Sequence, residues 1–316
     1  MKTYIIGHIK PDLDSAVAAL SFAEYAKINE VENPTPAIID ELNPETKFIF
    51  DKFNVTSPIL ISATDILSQD RVILVDHNEI DQRLAGLNPD QIVGIYDHHK
   101  ANINFSSPIE ICIMPFGSSN TVAWQLFKEI NFKISANLAK LMLCAILSDT
   151  VGLKSSTTTK KDKTAVSDLS SISGISDIEL LTMEIFKAKS NVATMTDEQV
   201  VKNDYKIFDF SGKKFFIDQI ETVEQESMLT NRKQGLLSVL NTIKSQEGVD
   251  FIILAITDIL KVNTKLLVAG EGEIDLIQKA FGGTVSNNIL DIGAKMSRKK
   301  DIAPAIEKAL SIENKI

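Results

Sequence analysis

The sequence predicts an α/β protein of two domains: a larger N-terminal domain on a parallel sheet and a smaller C-terminal α/β domain with a mixed sheet. Three observations carry this. Short apolar runs alternate with helical patterns through the first half, as buried parallel strands covered on both faces require. The patterning lapses at Ser190-Asn191-Val192-Ala193-Thr194, a polar stretch of linker character. Beyond it the signals change to a hairpin, two more strands and separate helices. The expected domains are therefore 1–189 and 190–316, joined by a linker at about residues 189–196.

Thr3 to Gly7 reads as a first strand. Ser15 is placed to cap the helix after it, where Ala16, Ala19, Leu20 and Ala23 recur at helical spacing. Thr35 to Ile39 is a second strand and Asn43 to Phe53 a second helix. Arg71 to Asp76 and Gln91 to Asp97 are continuous apolar runs of buried parallel-strand type, and Glu110 to Met114 is a further candidate. Ser119 to Ile130 and Ser135 to Leu147 follow as helices. In the second domain, Lys206 to Phe210 and Lys213 to Gln219 form a hairpin turning at Ser211-Gly212. Asn231 to Glu247 is a helix, Phe251 to Asp258 and Thr264 to Gly270 are strands, and Glu273 to Phe281 is a helix that Gly282-Gly283 ends.

Over 316 residues, 44% hydrophobic and 24% charged is the balance of a soluble globular chain. A net charge of −9 argues against broad binding to nucleic acid or membrane surfaces. The apolar run after Met1-Lys2-Thr3 is too short for a signal-peptide core. Two cysteines, Cys112 and Cys144, build no disulfide framework. A cytoplasmic protein is expected.

The chemistry concentrates at strand ends. All four histidines stand near a carboxylate: His8 with Asp12 and Asp14, His77 after Asp76, and His98-His99 after Asp97. Side chains at the carboxyl ends of parallel strands converge, and imidazole with carboxylate there makes a metal site for more than one ion. Asp12 and Asp14 diverge if their loop is extended, each facing a different ion, although Asp-Leu-Asp-Ser is equally a helix-capping sequence. Asp76 ends a buried run, where a carboxylate is costly unless paired or metal-bound, and one oxygen for each ion makes it a bridge; a plain cap reads the same way. His98 and His99 should point opposite ways, one to metal and one to substrate, with Asp97 orienting an imidazole. His77 should turn away from the metal. Asp149, at the end of the apolar run Leu141 to Leu147, adds a hard oxygen or caps its helix. Ser297-Arg298-Lys299-Lys300 offers cations for phosphate oxygens, or a solvated surface.

Together these residues resemble the DHH phosphoesterase superfamily, and within it the family II inorganic pyrophosphatases. Gly7-His8-x-x-Pro11-Asp12-x-Asp14-Ser15, Val75-Asp76-His77-Asn78-Glu79, Asp97-His98-His99 and Leu147-Ser148-Asp149-Thr150 carry the superfamily pattern. Asp204-Tyr205-Lys206 and Ser297-Arg298-Lys299-Lys300 narrow it to pyrophosphatases. The resemblance implies a DHH-type metal-binding catalytic domain followed by a substrate-binding domain. It implies one metal on His8, Asp12 and Asp76, and a second on Asp14, Asp76, His98 and Asp149. It implies pyrophosphate contacts from His99, Lys206, Arg298 and Lys299. It further implies Mn²⁺ at two or more sites per subunit, with Co²⁺ as a substitute and Mg²⁺ arriving with substrate, a homodimer, and a hinged closure. The reaction expected is hydrolysis of pyrophosphate by a hydroxide shared between the ions. Exopolyphosphatase or phosphodiesterase activity on short oligonucleotides or cyclic dinucleotides is the alternative within the superfamily, and a non-catalytic sensor of phosphate or metal the alternative outside it. Lys10, Leu13, Ser156 and Asn203 depart from the family's usual Asn, Thr, Pro and Arg.

Overall fold

The computed structural model describes residues 1–190 and 192–313, the last two by backbone only. Asn191 of the expected linker, and residues 314–316 of the expected second domain, lie outside the described residues. The chain divides into two compact units, Met1–Lys189 and a second that begins at Ser190. Among the described residues, no helix is long and apolar enough to cross a membrane.

The first unit runs β1 (Thr3–Ile6), α1 (Leu13–Ile28), β2 (Pro34–Ile38), α2 (Pro44–Phe53), β3 (Ile59–Leu60), β4 (Arg71–Val75), β5 (Ile92–Asp97), β6 (Glu110–Ile113), α3 (Ser119–Glu129), α4 (Ala136–Asp149), α5 (Lys160–Ser173) and α6 (Ile178–Ser190). Its six strands lie in the order β3-β2-β1-β4-β5-β6 and pair in parallel throughout. The chain builds outward from β1 on one side, then returns to lay β4 against the other. Loops leaving β1 and β4 therefore part company at a switch point, where a crevice opens at the strands' carboxyl ends. Ile5, Ile6, Leu74, Val75 and Ile95 are almost wholly buried, which is why these strands read as unbroken apolar runs. In α4, every residue from Leu141 to Leu147 is buried, so that helix is a core element on all sides.

The start of α1 corrects one expectation. Asp12, not Ser15, is the cap: its Oδ1 accepts from the Ser15 amide at 2.9 Å, and the helix opens at Leu13. The Ser15 hydroxyl instead turns back to accept from the His8 amide at 3.0 Å. That contact needs Gly7, since a Cβ there would stand 2.0 Å from Ser15 Oγ.

The second unit runs α7 (Asp197–Val201), β7 (Tyr205–Phe210), β8 (Lys213–Thr222), α8 (Gln225–Asn231), α9 (Lys233–Glu247), β9 (Phe251–Asp258), β10 (Asn263–Val268), α10 (Glu271–Phe281), β11 (Ile289–Asp291) and α11 (Ala303–Glu313). Its sheet has the order β11-β10-β9-β8-β7, parallel only between β8 and β9. Strand alternation splits the core in two: Phe215, Ile217 and Ile253 face α10 and α11, while Phe216, Ile252 and Leu254 join the side chains of α9. The hairpin turns at Ser211-Gly212, both at positive φ (56° and 79°), the backbone of a two-residue type I′ loop. The single helix expected over Asn231 to Glu247 is instead the end of α8 and the whole of α9. It breaks at Arg232, whose guanidinium is drawn onto Asp197 at 2.7 Å and the Met195 carbonyl at 2.7 Å.

Candidate metal centre

Each candidate ligand owes its place to a strand or helix end. His8 lies two residues beyond β1. Asp12 caps α1 and Asp14 is its second residue, buried against the start of α3. Asp76 follows β4 at φ 61°, a left-handed backbone that swings its carboxylate into the crevice. His98 and His99 follow β5, and Asp149 is the last residue of α4.

The structure brings these side chains together in three overlapping groups: His8, Asp12 and Asp76; Asp14, His98 and Asp149; Asp76, His98 and His99. Asp76 divides its oxygens. Oδ2 lies 3.4 Å from His8 Nε2, and Oδ1 lies 3.4 Å from His98 Nε2. His8 Nε2 also stands 3.7 Å from Asp12. His98 Nε2 stands 3.3 Å from Asp149 and 3.9 Å from Asp14. His98 Nε2 is buried and, among the described residues, has no hydrogen-bond partner. A buried imidazole nitrogen facing three carboxylates, too far from the nearer two for good hydrogen bonds, fits a divalent cation between them.

The opposite edge of every imidazole is engaged. Nδ1 donates to a carbonyl or carboxylate: Ile9 O for His8 at 2.7 Å, Val75 O for His77 at 2.9 Å, Phe116 O for His98 at 3.0 Å and Asp97 Oδ1 for His99 at 2.9 Å. This fixes the rings and, for His8 and His98, leaves Nε2 to the carboxylates of the crevice. The expectation that His98 and His99 point opposite ways is corrected. Their ring centroids are 4.2 Å apart, because β5 ends at Asp97 and the alternation ends with it. His77 is buried edge-on to His8 and belongs to none of the three groups.

The electrostatics are those of a site short of positive charge. Burial, with the Asp76 charge, pushes Asp14 up to about 7. Burial and the neighbouring carboxylates of Asp14 and Asp76 hold Asp149 well above its usual value. Burial would lower His8 and His98, but their carboxylate neighbours outweigh it and raise them to about 11 and about 10. Burial also opposes ionisation of Asp76, and the two imidazoles overcome it, holding that carboxyl far below the usual range. A cation can replace the protons that otherwise hold these acids together.

Residues 2–146 match the DHH family, N-terminal domain, and residues 183–309 match the DHHA2 domain. A manganese-dependent inorganic pyrophosphatase of Methanocaldococcus jannaschii is 38% identical, covering 97% of this chain and 98% of its own. One of Methanothrix thermoacetophila is 37% identical, covering 97% of each chain. The chain belongs to the manganese-dependent inorganic pyrophosphatase family. A crystal structure of a Methanococcus jannaschii protein, assigned to the family II inorganic pyrophosphatases, overlays with a TM-score of 0.60 at 37% identity, covering 98% of this chain and 99% of the other.

As a pyrophosphatase-family chain, it positions its candidate ligands with further residues, of which Ser119 and Asn120 lie outside the motifs. The Ser119 amide donates to Asp14 at 2.7 Å, the Asn120 side chain to Asp14 at 2.8 Å, and the Ser119 hydroxyl to Asp76 at 2.9 Å. The N-terminus of α3 is thus aimed at Asp14, where its dipole favours a negative charge. The signal was Ser118-Ser119-Asn120, which reads only as a helix start. Asn78 ties Asp97 to the Lys100 carbonyl at 2.6 and 3.1 Å. Glu79, Asp81 and Gln82 line one pocket with His8, Asp12, Asp76 and Asp149.

Among the four departures from the family pattern, Lys10 has a physical cost. It sits at φ 50°, a region Asn tolerates and Lys does not, with its amide on Asp40 at 2.7 Å. Lys10→Asn is expected to stabilise the protein by about 1 kcal/mol in a denaturant titration. Leu13 is buried in α1, while Ser156 and Asn203 are exposed.

In the second unit, Arg298 opens a single π-helical turn, Arg298–Ile302. Its amide donates to Gln219 at 2.8 Å and its Nη2 to Asp204 at 3.0 Å. It is 8% exposed, and Nε and Nη1 have no partner among the described residues. Lys299 is exposed on that turn, and Lys206 is exposed on β7.

Proposed function

We propose that this chain is a manganese-dependent inorganic diphosphatase that splits pyrophosphate into two phosphates. His8, Asp12 and Asp76 would hold one Mn²⁺, and Asp14, Asp76, His98 and Asp149 the second, with Co²⁺ as a substitute and Mg²⁺ accompanying substrate. The observation that carries this is Asp76, a buried carboxylate offering one oxygen to each of two ligand groups. Bound divalent cations supply Lewis acidity toward phosphoryl oxygens and lower the pKa of water. The first domain, residues 1–189, supplies the metal ligands, and the second, 190–316, the cationic contacts to substrate.

The protein's own groups do the rest. Asp97 accepts from His99 Nδ1 and favours the imidazolium, whose Nε2–H would donate its proton to the bridging oxygen of pyrophosphate and leave the neutral ring on Asp97. Arg298, Lys299 and Lys206 neutralise charge on the phosphoryl oxygens, where positioning and electrostatics do most of the catalysis. The unpartnered Arg298 N–H groups support that role. The reading extends to a cytoplasmic homodimer with no nucleic-acid partner. Phosphate release from pyrophosphate after Mn²⁺ loading tests the reaction, and a folded, loaded protein without turnover would reject it.

Metal binding should strengthen with pH. Asp14 keeps its proton to about 7 in the folded metal-free protein, against 3.8 ordinarily. Between those values the folded state binds more protons than the unfolded one, so metal-free stability falls as pH rises. The imidazoles of His8 and His98 contribute fully below their ordinary value of 6.5 and lose that contribution progressively between there and about 11 and about 10, which adds to the fall above pH 6.5. Mn²⁺ takes the place of the acidic protons, so the rise in Tm on adding Mn²⁺ should be larger at about pH 8 than at about pH 5. Equal shifts at both values would show that no proton is displaced.

A further inference from the structure

Asp162, in the first turn of α5, is fully buried and takes no direct part in the three ligand groups. Its partners are all neutral donors. The Gly117 amide lies 3.0 Å from both carboxylate oxygens. The Thr121 hydroxyl donates to Oδ1 at 2.6 Å, and the Thr159 amide and hydroxyl to Oδ2, each at 2.6 Å. The Thr159 contacts make a capping box for α5, which is the ordinary structural use of such an acid.

The Gly117 contact does more. The N–H of Gly117 and the C=O of Phe116 are the two ends of one peptide group. On its far side, Phe116 O accepts from His98 Nδ1 at 3.0 Å. The carboxylate, the peptide and the imidazole therefore form one chain of hydrogen bonds ending at Nε2, the buried nitrogen that faces Asp14, Asp76 and Asp149. A negative charge on the N–H side of a peptide increases the acceptor strength of its carbonyl, and linked hydrogen bonds polarise one another. Gly117 permits the approach, since a Cβ there would stand 2.9 Å from Asp162 Oδ2 and 2.7 Å from the Thr150 methyl group.

We infer that Asp162 is a positioning residue for the metal centre: acting through the Phe116–Gly117 peptide, it holds the proton of His98 on Nδ1 and keeps Nε2 a basic ligand. This rests on the reading of His98 as a metal ligand. The chain of bonds is a carboxylate–histidine–metal arrangement with a peptide inserted, and outer partners of ligating histidines matter to affinity.

Calorimetric titration of the full chain with Mn²⁺ tests it, using Asp162→Asn beside Thr159→Ala. Thr159→Ala removes a capping-box hydroxyl but leaves the Gly117 contact. Asp162→Asn is expected to weaken one Mn²⁺ binding step by about tenfold or more, and Thr159→Ala to stay within about twofold of wild type while lowering Tm. Wild-type binding by Asp162→Asn, or equal loss in both variants, would reduce Asp162 to a helix cap. If Asp162→Asn does not fold, ¹⁵N NMR of the wild-type protein loaded with diamagnetic Zn²⁺ decides. The relay requires the proton of His98 on Nδ1 and a downfield move of the Gly117 amide on loading; coordination through Nδ1, or an unmoved Gly117 amide, overturns it. A wild-type chain that takes up no Mn²⁺ sinks the functional reading and the relay together, whereas uptake unaffected by Asp162→Asn sinks the relay alone.

Discussion

Asp76→Asn is expected to empty both metal positions and to lower pyrophosphate hydrolysis by about 10³-fold or more. The amide matches the carboxylate in size but carries no charge, and only one of its two ends can accept. Whichever way it turns, an NH₂ group faces either His8 Nε2 or His98 Nε2, which now lie 3.4 Å from carboxylate oxygens. The Ser119 hydroxyl, 2.9 Å from Oδ1, also loses its charged acceptor. Among the described residues, only Asp76 has carboxylate oxygens within 4.0 Å of both His8 Nε2 and His98 Nε2, so no other acid can link the two groups. Elemental analysis of folded protein, with circular dichroism as control, should show little Mn²⁺ retained. Two bound ions, or turnover near that of wild type, would remove Asp76 from its place as bridge.

Arg298→Ala should separate the substrate from the metals. Metal content should stay at the wild-type level, while kcat/KM for pyrophosphate falls by about 10²-fold. Arg298→Lys should recover little, because Gln219 holds the backbone amide and Asp204 the forked guanidinium, whose geometry a point charge cannot reproduce. Steady-state kinetics on Mn²⁺-loaded variants are the measurement. Unchanged kinetics would return Arg298 to the status of an ordinary surface-string residue, despite its burial.

What could be read from residue order is what local chemistry dictates. Apolar runs such as Val72 to Val75 have no low-energy home except a buried strand, and acids or imidazoles at their ends must converge if the strands are parallel. The Ser211-Gly212 hairpin was legible because few dipeptides accept two positive φ values. The rest depended on partners distant in sequence. Ser15 looked like a cap until His8 claimed its hydroxyl. The break at Arg232 is set by Asp197 and two carbonyls some 35 to 40 positions earlier. The three-residue strand Ile289–Asp291 is too short to show a period, and it exists because β10 offers a free edge. Ser119 and Asn120 carry an ordinary capping signature, and nothing local says that the acid they meet is Asp14.

Asp149 sits at the carboxyl end of α4, where the aligned peptides of a helix buried from Leu141 to Ser148 concentrate partial negative charge. An acid is the wrong residue for that spot in a protein built for rigidity alone. The misplacement loads the last turn of the helix with repulsion that a proton, or a cation bound as proposed, relieves. Scarcity of manganese would then register first as backbone fraying and rapid amide exchange at that turn, before the chemistry itself was called upon.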